Sequence, residues 1–193
     1  FQNLKLLIMH TFTLVFLTAL ALTTLIQIWL ATRHIRHIRA HQNTVPEKFS
    51  SQINLADHQK AADYTCAKTR TGYPGVALQV ALLLIFTLGG GLSALNSSWA
   101  NWLSDPLAHG MALIISTFLL MGIAEVPLSY YRTFVIEEQY GFNKMTRAMF
   151  FTDLIKQSLL GLLLGAPLLF CVLWLMEKTG ENWWLYAWLA WIA

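Results

Sequence analysis

Long blocks of apolar residues without Asp, Glu, Lys or Arg constrain this chain more than any other feature. Four such blocks span residues 6–32, 75–95, 106–124 and 157–176. About 18 residues of this kind are enough to cross the hydrocarbon core of a bilayer. Only 12% of the 193 residues are charged, which is about half the share found in soluble domains. The pattern predicts an all-α, polytopic membrane helical bundle and excludes both a disordered chain and a nucleic-acid-binding domain.

A fifth block begins at Trp183 and is still apolar at Ala193. Its eleven residues extend only about 16 Å as a helix, roughly half the thickness of a hydrocarbon core. We therefore expect residues 1–193 to form an N-terminal transmembrane domain with four complete spans and a truncated fifth. The expected spans are residues 6–32, 75–95, 106–128, 156–176 and 183–193.

The distribution of Lys and Arg predicts the orientation of the spans. Residues 33–74 contain seven of the 13 basic residues, and residues 131–156 contain four. Because basic connections stay on the cytoplasmic side, both segments are expected in the cytoplasm and the N-terminus outside. Tryptophans, which favour the membrane interface, mark the two outer connections. They are Trp99, Trp102, Trp183 and Trp184.

The first cytoplasmic connection contains the signals of a short helix. Asn54 is a suitable N-cap, Asp57 lies in the first turn, and a helix-compatible run continues to Arg70. The following segment TGYPG, residues 71–75, is expected to break this helix before the second span begins.

The run RHIRHIRAH places His34, His37 and His41 at spacings of three and four residues. Such spacings put three imidazoles on one helix face, a geometry suited to metal binding. Arginines at positions 33, 36 and 39 are interleaved with them and oppose the binding of a divalent cation. The run is therefore interpreted as a basic extension of the first helix that lies among anionic head groups. No metal ligand is predicted in this chain.

Glu125 lies at the end of the third apolar block. A carboxylate inside or beside a membrane span needs a partner, and Arg132, two helical turns further on, is a candidate counter-charge. The two residues form either a functional polar site, which gates or lines a cavity, or an interfacial structural salt bridge. The sequence leaves both interpretations open. Pro127 is expected to end or kink the third helix.

The run VPLSYYRTFVIEEQYGFNKMT, which starts at Val126, resembles the hallmark stretch of integral-membrane zinc metallopeptidases of the CAAX prenyl protease type 1 family. Two further segments, INLADHQKAADYTCAKTR and WWLYAWL, resemble helices of that family in the same order. The short connections suggest a bacterial member located in the plasma membrane. The residues that carry the match are Thr133, Phe134, Glu137, Glu138, Gly141, Phe142, Asn143 and Thr146.

The resemblance implies a zinc endopeptidase that cleaves CAAX-type or other membrane-associated substrates. Two His of a His-Glu-x-x-His helix and a downstream Glu bind zinc in that family. The chain ends before such a motif, so no catalytic residue is carried over and a catalytic zinc domain is expected after residue 193. The implied partners are the lipid bilayer, this C-terminal domain and a peptide or protein substrate, with no nucleic acid.

Individual residues of the hallmark stretch predict its local structure. Gly141 suits a turn with positive φ, and Asn143 is a candidate cap of a helix that leads into Thr146 and the fourth span. Glu137 and Glu138 are expected to pair with basic residues of the catalytic domain, so that the loop docks on it and shapes the mouth of a chamber. The alternative is a solvated connection.

For the whole chain, the alternatives are a membrane scaffold or binding module and a component of a small transporter.

Overall fold

The computed structural model describes the backbone of residues 2–192 and the side chains of residues 11–186, 188 and 192. Every regular element in this range is helical, which confirms the predicted all-α class. A π-helical turn, Arg132–Glu137, and two 3-10 turns, Glu47–Phe49 and Gly180–Asn182, lie between the α-helices. The α-helices are α1 Gln2–His41, α2 Leu55–Arg70, α3 Gly72–Thr87, α4 Gly91–Ala100, α5 Pro106–Tyr131, α6 Glu138–Tyr140, α7 Arg147–Thr179 and α8 Trp183–Ile192.

Three helical stretches are long and apolar enough to cross a membrane, namely Thr11–His41, Pro106–Tyr140 and Arg147–Tyr186. A fourth arises if the bent pair Leu55–Thr87 and Gly91–Ala100 is counted as one span. Counted in this way, the described stretches correspond to the four complete spans predicted. Large apolar side chains on them remain exposed, as expected for helices solvated by lipid. Phe12, Phe118 and Leu163 are examples, each 69–73% exposed.

The second span differs from its predicted form, because it is not one continuous helix. Helix α3 ends at Thr87, and α4 begins at Gly91 after a bend of 51°. Gly90 precedes α4 with a φ of 78°, in the left-handed region that glycine adopts without steric cost. The span predicted over residues 75–95 thus contains a bend, which the sequence did not indicate because hydropathy does not register backbone conformation.

Two prolines interrupt their helices less than predicted. The segment TGYPG leaves only Thr71 outside a helix, since α3 already begins at Gly72. Pro74 lies in the first turn of α3, where a missing N–H removes no helical hydrogen bond. Helix α5 continues through Pro127 to Tyr131. Proline removes one hydrogen bond there but does not forbid helical dihedral angles, and membrane helices tolerate this.

The chain divides into two compact units. One comprises residues up to 81 together with residues 127–143, and the other comprises residues 82–126 together with those from 144 onward. In the second unit, α4 is fastened to α5 by side chains. The indole Nε1 of Trp99 donates to Ser116 Oγ at 3.0 Å, and His109 Nε2 lies 2.9 Å from Asn96 Oδ1.

In the first unit, α1 and α2 form a helical hairpin beyond the first apolar block. The N-cap prediction for α2 is confirmed, since Asn54 Oδ1 accepts from the Asp57 backbone N–H at 2.8 Å. The loop end of the hairpin is held by His58 Nε2, which lies 3.3 Å from the His41 carbonyl oxygen. Buried apolar residues lie on both helices: Ile35 on α1, and Ala62 and Cys66 on α2.

Candidate functional site

The family-like residues lie in a compact segment, residues 132–146, here called the hallmark segment. Its π-helical turn and α6 end at Gly141, which has a φ of 77°. The positive φ predicted for Gly141 is confirmed. This left-handed residue turns the chain so that the backbone N–H groups of Phe142 and Asn143 both donate to the Glu137 carbonyl, at 2.9 and 3.2 Å.

The expected role of Asn143 as a helix cap was wrong. The cap of α7 is Thr146, whose Oγ1 accepts from the Met149 backbone N–H at 3.2 Å. Asn143 instead donates from Nδ2 to Glu138 Oε2 at 2.7 Å. A side-chain cap bonds the N–H three residues later, and only Thr146 stands at that distance before the first turn of the helix.

Aromatic side chains seat the hallmark segment on α2. The ring of Tyr64 lies 4.5 Å from that of Phe142 and 5.4 Å from that of Tyr140, measured between centroids. Ile136 of the π-helical turn is only 9% exposed, and Phe134 packs against Tyr130 at 4.6 Å. Residues 132–143 of the segment therefore form an ordered structure packed on a helix of the same unit.

Tyr64 was not singled out in the sequence, although it lies within the second family-like segment, INLADHQKAADYTCAKTR. Its partners in the hallmark segment are more than 70 residues further along the chain, so no local pattern joins them. One feature of the sequence could have indicated this contact: both family-like segments are predicted to lie on the same side of the membrane.

Arg132 connects the hallmark segment to the junction of α2 and α3. Its Nη2 donates to the carbonyl of Thr71 at 3.2 Å, and Thr71 is only 7% exposed. Gly75 leaves the space for this contact, because a Cβ on Gly75 would stand 2.8 Å from Arg132 Nη2. Glu125 is exposed on α5. Its expected pairing with Arg132 stays a prediction, and the bond to Thr71 is the one observed for this guanidinium.

The same unit contains a cleft of about 180 Å³, here called the boundary cleft. Its charged lining comprises two cations, Lys68 and Arg132, and one carboxylate, Glu137. The ammonium of Lys68 lies 5.7 Å from the centroid of Tyr64, so this cation is placed over the ring that holds the hallmark segment. The remaining lining residues are Tyr64, Thr71, Gly72 and Ile136.

Two histidines near the end of α1 lie side by side. The rings of His37 and His41 lie 4.4 Å apart, and His41 Nδ1 is hydrogen-bonded to the His37 carbonyl at 2.8 Å. Among the residues that the structure describes, no group of three His, Cys, Asp or Glu side chains could hold a metal ion.

The long apolar helices define a multi-pass integral membrane domain, and the charged hallmark segment packs on α2. Residues 34–193 match the family model described as CAAX prenyl protease N-terminal, five membrane helices. The chain belongs to this family, which confirms the resemblance read from the sequence.

Curated relatives agree with the family match. The chain is 31% identical over 156 residues to the CAAX prenyl protease 1 homolog of Caenorhabditis elegans, covering 80% of this chain and 34% of the relative. It is 26% identical over 163 residues to the human CAAX prenyl protease 1 homolog, covering 80% and 34%. The chain thus spans about a third of the length of these relatives.

The fold is also similar to a solved structure. The crystal structure of S. mikatae Ste24p matches with a TM-score of 0.78 at 22% identity, over 87% of this chain and 40% of that chain. At this identity the likeness concerns the fold alone.

Substitution of Gly75 tests the contact between Arg132 and Thr71. In the Gly75→Ala variant the new methyl group should displace the guanidinium from the Thr71 carbonyl. Gly72→Ala is the matched control, because it lies in the same helix and its Cβ would meet nothing within 4 Å. We expect Gly75→Ala to be less stable than Gly72→Ala by about 1–2 kcal/mol, measured by thermal unfolding in detergent micelles. The double variant Gly75→Ala/Arg132→Gln should be no less stable than Arg132→Gln alone, and additive losses would contradict the assignment.

Proposed function

We propose that this chain is the N-terminal membrane domain of a zinc-dependent metalloendopeptidase that cleaves CAAX-type or other membrane-associated substrates. The observation that carries the proposal is the family match over residues 34–193. Relatives named CAAX prenyl protease 1 are about three times as long as the matched part, which supports a catalytic domain that follows residue 193. The zinc ligands are proposed to lie in that domain.

The hallmark segment is proposed to dock on the catalytic domain and to shape the entrance to its chamber. Its conformation is fixed from within the first unit by Tyr64 and by the Gly141 turn. Glu138 is exposed at the surface of the segment while its Oε2 accepts from Asn143. A rigid segment that presents a carboxylate in one orientation suits recognition of a basic partner surface, because little conformational entropy remains to be lost on docking.

Metal analysis separates the two parts of the proposed enzyme. The 193-residue chain purified in detergent should hold no stoichiometric zinc and cleave no CAAX-type peptide, because a catalytic zinc site needs three protein ligands. The protein expressed with the region that follows residue 193 should hold one zinc per chain and cleave the peptide. A reading frame that stops without a His-Glu-x-x-His motif would favour a scaffold or a transporter component instead. One zinc held by the short chain and lost in His34→Ala would contradict the assignment of the ligands.

Three substitutions in the longer protein test the docking role. Glu138→Ala should lower turnover of a fluorogenic peptide about ten-fold or more, since loss of one partner of a buried charged hydrogen bond costs roughly 1.5–3 kcal/mol. Gln139→Ala is the matched control, exposed on the adjacent position, and should stay within two-fold of the parent.

Glu138→Gln distinguishes docking from internal support. The amide oxygen of Gln can still accept from Asn143, but the charge is gone. Activity lost in both Glu138→Ala and Glu138→Gln is expected if the carboxylate meets a basic partner. Full activity of Glu138→Gln would mean that Glu138 only holds Asn143 in place.

The topology is proposed from the charge distribution, with residues 33–74 and 131–156 in the cytoplasm and the N-terminus outside. The membrane is proposed to be the bacterial plasma membrane, because the connections between the spans are short.

Cysteine labelling tests the topology. In a background without Cys66 and Cys171, single cysteines replace Lys48 and Ser97. A membrane-impermeant thiol reagent should label position 97 in intact cells, and position 48 only after permeabilisation. The reverse pattern would invert the orientation.

A further inference from the structure

The boundary cleft lies at the level where the apolar segments end. The first apolar block ends at Thr32, whose hydroxyl is hydrogen-bonded to that of Tyr73 at 3.0 Å. The second block begins at residue 75, four residues after Thr71, the acceptor of Arg132. Helices α1 and α3 therefore leave their apolar stretches at a common level within the first unit. In a membrane-spanning domain this level is that of the phospholipid head groups.

The cations of the boundary cleft are not neutralised by the carboxylate beside them. Among the described side chains, the ion pair closer than 4.0 Å joins Lys178 to Glu177 and involves no residue of the cleft. The two cations, Lys68 and Arg132, and the carboxylate of Glu137 give the lining of the cleft a net charge of one positive unit. The guanidinium of Arg132 carries five N–H donors, of which one is bonded to the Thr71 carbonyl.

We propose that the boundary cleft binds the phosphate of an anionic phospholipid head group. The net positive charge matches the single negative charge of a phosphate diester, and Lys and Arg are the usual phosphate donors. Basic pockets between membrane helices bind anionic lipid head groups in the same way. Phosphatidylglycerol fits this description. Phosphatidylcholine does not, because its choline cation would meet the cationic lining.

The proposed ligand is linked to the hallmark segment through Tyr64. Lys68 lies over the ring of Tyr64, and the same ring also contacts Tyr140 and Phe142. Glu137 and Ile136 line the cleft from the hallmark segment itself. A bound head group would thus contact both α2 and the hallmark segment, and would stabilise their packing.

Calorimetric titration of short-chain lipids into the detergent-solubilised 193-residue chain tests the proposal without any need for peptidase activity. Dihexanoyl phosphatidylglycerol should bind at one site, and Lys68→Gln should weaken this binding about fivefold. Lys60→Gln is the matched control, with the same charge change on the same helix at a position that does not line the cleft. It should change the dissociation constant by less than two-fold.

Two further ligands identify the source of the phosphate. Dihexanoyl phosphatidylcholine and sn-glycerol 3-phosphate should each bind at least fivefold more weakly than phosphatidylglycerol. Equal binding of sn-glycerol 3-phosphate would replace the lipid by a soluble phosphate ester. Equal losses of binding in Lys60→Gln and Lys68→Gln would overturn the site, because diffuse surface charge would then account for the binding. Equal binding of the two lipids would also overturn it, because the acyl chains would then account for the binding.

Discussion

The hydrogen bond from the Arg132 guanidinium to the Thr71 carbonyl joins residues that are 61 positions apart. Thr71 is the residue left between two helices, and Arg132 opens the π-helical turn after α5. The absence of a side chain on Gly75 makes the approach possible. The ordering of the hallmark segment depends on this contact and on the stacking of Tyr64, because both hold the segment against α2 where the apolar helices end.

The hydrocarbon of the bilayer imposes a second constraint on this chain. In hydrocarbon each backbone polar group needs an internal partner, so the apolar stretches remain helical even where proline occurs. Helix α5 continues through Pro127 for this reason. The exception is the break before α4, where Gly90 adopts a left-handed conformation. There, side chains tie α4 to α5, through Trp99 to Ser116 and His109 to Asn96.

Family membership and the structure contribute different parts of the functional argument. The match over residues 34–193 shows that the chain belongs to the CAAX prenyl protease N-terminal family. The structure adds that contacts within the first unit hold the hallmark segment against α2. The proposed docking surface is therefore already ordered and would lose little entropy when a partner binds. The same packing places Lys68, Arg132 and Glu137 around one cleft.

The sequence by itself determined the features that depend on neighbouring residues. The apolar blocks, the cap of Asn54 on Asp57 and the positive φ of Gly141 were all predictable, because each depends on hydropathy or on a bond spanning a few residues. Tertiary structure decided which distant residues meet. Tyr64 packs on Phe142, and Arg132 bonds Thr71. These contacts require helices far apart in sequence to pack side by side, and hydropathy carries no information about which helix faces meet.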